Sequence, residues 1–273
     1  MAGLIARRSK SPPWVWSKFV RIVSLYRKCK PFATRNRTLQ LGGRIRLLRQ
    51  ILFWLALLEV ALPTPAATQS SVDLQLVLAV DASGSVDQFR FELQKRGYAA
   101  AFRHDRVLQA IRSGPMQSIA VTVMQWTGPA LQVQVIPWHR IADAQTAGAF
   151  AAEIERAPRQ LFGGGTSISG AVDYAATLFA KSAFRATRRV IDVSGDGSNN
   201  RGRPADSARD DAVAQGMVVN GLPILALEPD LDRYYYDHVI GGPAAFVIAA
   251  KNYESFADAI LKKMILEIAS TSR

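Results

Sequence analysis

From residue 72 to residue 268 the chain alternates short aliphatic runs with longer stretches of helical period, a pattern few architectures can satisfy. The aliphatic runs are VDLQLVLAV (72–80), SIAVTVMQW (118–126), LQVQVIPW (131–138), RRVIDVS (188–194), GMVVNGLPILAL (216–227) and AAFVIA (244–249). Helical stretches fall at 86–112, 143–156, 167–180, 204–215 and 253–268. Strands regularly separated by helices predict an α/β domain with a mostly parallel sheet and helices on both faces. The second and third runs are joined only by Thr127, Gly128, Pro129 and Ala130, too few residues for a crossover helix. They are therefore expected to pair as an antiparallel hairpin. The third run, polar at Gln132 and Gln134, suits an edge position.

The net charge of +12 first suggests a nucleic-acid or membrane partner, but its distribution argues otherwise. Residues 1–50 carry 13 Lys and Arg and no acid, whereas residues 68–273 carry 21 basic and 21 acidic side chains. The charge belongs to a leader, and the rest of the chain offers no nucleic-acid footprint. In that leader Arg44, Arg46 and Arg49 precede an apolar run at about 51–62, followed by proline and small residues, the order of a secretory signal. A helix of that run reaches about 18 Å, short of the ~30 Å hydrocarbon core. Residues 1–67 are thus expected to be a basic leader with a signal peptide, its upstream part a start assigned too early. Residues 68–273 are the expected domain, periplasmic or secreted. Membrane contact would come only through an uncleaved leader. The single cysteine, Cys29, lies in the leader, which leaves the domain no disulfide and no thiolate chemistry.

Three loops collect side-chain oxygens. DASGS supplies Asp81, Ser83 and Ser85; FGGGTS supplies Thr166 after three glycines; VSGDGSNN supplies Asp196. In a doubly wound sheet the carboxyl ends of the strands share one edge, so loops distant in sequence can converge there. Two carboxylates and three hydroxyls form a hard-oxygen donor set suited to Mg2+, Mn2+ or Ca2+ and poorly suited to zinc or copper.

These residues resemble the metal-ion-dependent adhesion site of the von Willebrand factor type A domain: Asp-x-Ser-x-Ser, then a threonine, then Asp-Gly. The resemblance extends over roughly 72–268, and VDASGSVD, GGTSISGA, RRVIDVSGDGSNNRG and VIGGPAAF are most similar to an uncharacterised exported bacterial branch of that superfamily. It implies a three-layer, doubly wound, Rossmann-like fold with one antiparallel edge strand. It also implies a non-enzymatic role in which Ser83, Ser85 and Thr166 hold a divalent cation, Mg2+ foremost. Asp81 and Asp196 then act partly through water, and a protein partner offers an acidic side chain to the ion.

Competing readings attach to the same residues. GGGTS lacks the lysine of a phosphate loop. No Gly-x-Ser-x-Gly elbow is present, and His104, His139 and His238 adjoin none of the five oxygen donors in sequence. A metal-assisted hydrolase would need one of those histidines brought in as a base; a metal-independent assembly module is the other alternative. Arg201 and Arg203 could steer an acidic partner, and Tyr234 and Tyr235 could anchor it. Asp192, mid-strand, is expected to pair with Arg188 or Arg189.

Overall fold

A computed structural model describes residues 69–269; the leader expected at 1–67 lies outside the described residues. The central sheet has five strands: β2 (Leu74–Asp81), β3 (Ile119–Trp126), β4 (Gln132–Ile141), β6 (Arg188–Gly195) and β7 (Val218–Pro223). Their order is β4-β3-β2-β6-β7, with β4 antiparallel to β3 and the other pairs parallel. The expected hairpin and polar edge strand are both present, though β4 runs three residues further than expected, to Ile141. The short strands β1 (Ser70–Ser71) and β5 (Phe184–Arg185) pair separately.

Alternation along β2 divides the interior. Leu74, Leu76, Leu78 and Val80 enter one core cluster, Val77 and Ala79 the other, because successive strand side chains point to opposite faces. The first cluster is closed by helices α1 (Gln88–Arg103), α2 (Asp105–Arg112), α3 (Ala144–Arg156) and α7 (Phe256–Ala269). The second is closed by α4 (Ile168–Ala180), α5 (Ala205–Ala214) and the short α6 (Leu231–Tyr234), which continues as a π-helical turn at Tyr235–Val239. Every residue of β2 and β3 is buried, as expected of strands covered on both faces. Among the described residues no helix is long and apolar enough to cross a membrane.

Two local expectations fail for identifiable reasons. The single helix expected at 86–112 is broken at His104, which is extended and whose Nδ1 accepts a hydrogen bond from the Arg106 N–H at 3.1 Å, capping α2. The sixth strand expected at 244–249 does not form; the segment touches β7 through an isolated bridge between Val247 and Gly221, and a second bridge joins Ala250 to Ile224 just beyond both. Its entry is irregular, with positive φ at Gly242 and Ala244 flanking Pro243, and the Phe246 N–H is taken by the Asn220 side chain at 3.0 Å. Without a regular approach the ladder cannot propagate.

Candidate functional site

β2 and β6 are adjacent parallel strands at the middle of the sheet, so their carboxyl ends bring the DASGS and SGDGS loops side by side. Asp81 closes β2 and is fully buried, as is Asp196, one residue beyond β6. The Ser83 N–H donates to Asp81 Oδ1 at 2.7 Å, and the Asp196 N–H meets Asp81 Oδ2 at 3.4 Å. Ser83 Oγ and Ser85 Oγ are 3.2 Å apart, and Ser85 Oγ donates to Asp196 Oδ1 at 2.5 Å. Four of the five oxygen-bearing residues picked from the sequence therefore form one connected network.

Thr166 joins from the second loop. Gly163 and Gly164 adopt positive φ, which glycine alone tolerates freely, and a side chain at Gly165 would collide with Arg201 Cγ. The turn delivers Thr166 to a clamp in which its N–H donates to Asn200 Oδ1 at 2.9 Å and its carbonyl accepts from the N–H groups of Asn200 and Arg201 at 2.9 and 3.1 Å. A methyl group placed on Gly197 would lie 3.5 Å from Thr166 Oγ1, so its hydroxyl stands over the Asp196-Gly197 turn.

Several residues that sequence reasoning passed over complete the surroundings. Tyr253 donates its hydroxyl to Asp196 Oδ2 at 2.8 Å. Arg90 donates to the Ser85 carbonyl at 2.7 Å and places its guanidinium 3.9 Å from Asp196 Oδ2. Glu228 accepts from the Ser198 N–H with both oxygens at 3.1 Å, and its Oε1 would lie 3.4 Å from the same Gly197 methyl. A lone tyrosine, arginine and glutamate in unrelated segments carry no sequence signal; only the fold assembles them.

The electrostatics are those of a crowded anionic centre. Burial, then the neighbouring charge of Asp196, pushes the Asp81 carboxyl up to about 7. The nearby hydroxyl of Tyr235 is buried without a hydrogen-bond partner. A cation would relieve the repulsion between the two carboxylates, and the donors at the network are oxygens alone, so the residues present fit a hard divalent ion.

The partner-binding expectations need correction. Tyr235 is fully buried in the core under α5 and β7 and cannot touch a partner; the exposed member of the tyrosine run is Tyr236. Tyr234 is half-buried, its hydroxyl accepting from the Asn199 N–H at 3.3 Å. Arg203 is held by Asp173 and Asp211, whose carboxylates lie 2.5 and 2.6 Å away and neutralise it between α4 and α5. Arg201 alone stays exposed beside the second loop. Asp192 does not pair with Arg188 or Arg189, which bond to the Glu267 and Gln215 carbonyls; its partner is Lys263, 2.7 Å away. The histidines are engaged away from the network: His104 caps α2, His139 meets Glu153 at 3.1 Å, and His238 stacks on Tyr234.

A five-stranded sheet of this order, with one antiparallel edge strand and helices on both faces, is a von Willebrand factor type A-like fold. Solved structures with a similar fold include proximal thread matrix protein 1 of the mussel byssus, at 14% identity and a TM-score of 0.53, covering 74% of this chain and 49% of that one. Another is the pilus adhesin SpaC of Lactobacillus rhamnosus GG, at 14% identity and a TM-score of 0.52, covering 72% and 31%. A third is a von Willebrand factor type A protein of Catenulispora acidiphila, at 20% identity and a TM-score of 0.47, covering 74% and 44%. This chain spans about half or less of the length of each. No curated protein sequence matches it. Residues 71–272 match the model of the family described as "Protein of unknown function (DUF1194)", and the chain belongs to that family.

Proposed function

We propose that the domain is an exported binding module that grips an acidic side chain of a protein partner through a divalent cation. Ser83, Ser85 and Thr166 would hold the ion, with Asp81 and Asp196 supporting it partly through water; Mg2+ is the first choice, Mn2+ or Ca2+ the alternatives. The observation that carries this reading is the meeting of two fully buried carboxylates with two hydroxyls in one hydrogen-bonded cluster, where burial, then the charge of Asp196, raises the Asp81 carboxyl to about 7. When bound, a divalent ion supplies an electrophilic position open to a partner's carboxylate.

The chain's own residues do the rest. Tyr253 and Ser85 fix the two oxygens of Asp196, the Thr166 clamp orients its hydroxyl, and exposed Arg201 at the rim attracts acidic partners. The leader, cleaved, would place the domain in the periplasm or outside the cell; uncleaved, it would anchor the domain to the membrane. The pilus adhesin of similar fold supports a role outside the cytoplasm for this architecture.

The test is thermal unfolding of the purified chain with Mg2+ or Mn2+ against chelator. At a hundred times the dissociation constant the ion should add about 2.7 kcal/mol, and Asp196→Ala should abolish the gain. An unchanged melting curve at millimolar ion would refute the reading.

A further inference from the structure

Four residues before Asp196, β6 carries a second ionisable group inside the protein, and the binding site makes no use of it. Asp192, Lys263 and Glu267 are all buried, at 0%, 0% and 1% exposure. Lys263 Nζ lies 2.7 Å from Asp192 Oδ1 and 3.2 and 3.4 Å from the two oxygens of Glu267, one turn further along α7. Asn220 of β7 donates to Glu267 Oε1 at 2.8 Å and fixes that carboxylate. The Phe246 ring covers the amine at 5.2 Å. The contact between Lys263 and Asp192 is close but lacks hydrogen-bond alignment, and neither oxygen of Asp192 accepts a hydrogen bond.

As ions these groups are an expensive arrangement. Two carboxylates face one ammonium, and each buried ion loses several kcal/mol of hydration that only well-aligned partners offset. Burial pushes the Asp192 carboxyl up despite the lowering influence of Lys263, and Glu267 adds to the rise. A proton passing from the ammonium to Asp192 would leave an amine beside a carboxylic acid, the uncharged pair that a dry interior favours.

We propose that Lys263 and Asp192 are joined by an amide cross-link that the folded chain forms by itself, with Glu267 as the proton carrier. The Lys263 Nζ lone pair attacks Asp192 Cγ, forming the C–N bond. Glu267 takes a proton from the nitrogen and returns it to the departing hydroxyl. The C–O bond breaks and one water leaves. No oxidant, reductant or co-reactant is required, because a neutral amine and a neutral acid give an amide and water. Fixed proximity supplies the large effective concentration such a condensation needs, and exclusion of solvent opposes the reverse hydrolysis. The product removes one positive and one negative charge from the core and ties β6 to the last helix, in a domain whose sequence holds no cysteine for a disulfide. This inference is independent of the metal reading.

The experiment is tryptic mapping of the full chain purified under native conditions and then denatured. The expected product is a branched peptide joining Val190–Arg201 (VIDVSGDGSNNR) to Lys263–Arg273 (KMILEIASTSR), lighter than their sum by one water. Glu267→Gln, which keeps an acceptor for Asn220 but cannot carry the proton, should retain cooperative unfolding and lose the branched peptide. Asp192→Ala should lose it as well. Recovery of the wild-type chain as linear peptides with cleavage after Lys263 would overturn the cross-link, and a branched peptide persisting in Glu267→Gln would overturn the role given to Glu267.

Discussion

Asp81 offers a measurement that reads the site's electrostatics without any ion. In chelator the folded protein holds the Asp81 proton up to about pH 7, whereas the unfolded chain releases it near 3.8. For an acid raised on folding, the native state binds more protons than the unfolded state between those values, so stability falls as pH climbs through the window. It is full below 3.8 and lost by about 7. At about 1.4 kcal/mol per pH unit the fall attributable to Asp81 is roughly 4 kcal/mol, less whatever the site recovers by relaxing around the charge. Asp81→Asn keeps the shape, and its amide oxygen can still accept from the Ser83 N–H, but it cannot ionise. Urea unfolding of both proteins in chelator, from below pH 3.8 to above 7, gives the difference in stability at each pH. Asp192 is the same in both proteins, so taking that difference cancels whatever it contributes. The variant should gain on the wild type by several kcal/mol across the window and hold that advantage above it. A difference that stays flat with pH would refute both the burial of Asp81 as a carboxylate and the repulsion assigned to Asp196.

Two further substitutions probe the packing beneath the site. A β-carbon at Gly195 would stand 2.8 Å from Asp81 Oδ2, 3.0 Å from the Tyr235 hydroxyl and 3.1 Å from the Trp126 ring, so Gly195→Ala should cost about 1–3 kcal/mol in chemical denaturation; a change within about 0.5 kcal/mol, the range of ordinary surface substitutions, would contradict this packing. The Tyr235 hydroxyl is buried with no hydrogen-bond partner, so Tyr235→Phe should leave stability unchanged or raise it by about 1 kcal/mol, and a clear loss in the same assay would mean the hydroxyl is bonded.

Much of the fold was legible because it follows from local rules. The runs at 72–80 and 118–126 are predominantly apolar and become β2 and β3, buried on both faces; the four-residue link at 127–130 dictates the hairpin; Gln132 and Gln134 mark the edge. The DASGS and SGDGS loops were legible because each follows a strand in a sheet whose carboxyl ends coincide, whereas the Thr166 loop follows α3 and was marked by its three glycines. What stayed hidden depends on partners that local pattern does not encode. His104 looks like any helical residue until its ring nitrogen caps α2. The run at 244–249 is apolar enough for a strand, but Asn220 takes the Phe246 N–H that a ladder would need. Tyr253 reaches Asp196 across 57 residues of sequence.

Strand β6 shows most sharply where alternation misleads. Ile191 and Val193 enter one core cluster, while the residues of opposite parity, Asp192, Ser194 and, just past the strand, Asp196, face the other side. Apolar and polar residues in strict alternation ordinarily signal a strand with one wet face. Here β6 lies between β2 and β7, and its polar face is covered by helices. Each polar group on it therefore needs an internal partner: Lys263 for Asp192, the Tyr98 hydroxyl at 3.1 Å for Ser194, and Ser85 and Tyr253 for Asp196. Those partners come from the DASGS loop, α1, the loop preceding α7, and α7 itself. The polar face of one central strand thus sets what the helices above it must supply, and it carries both Asp192, which faces Lys263 of α7, and Asp196 of the candidate site, one residue past its end.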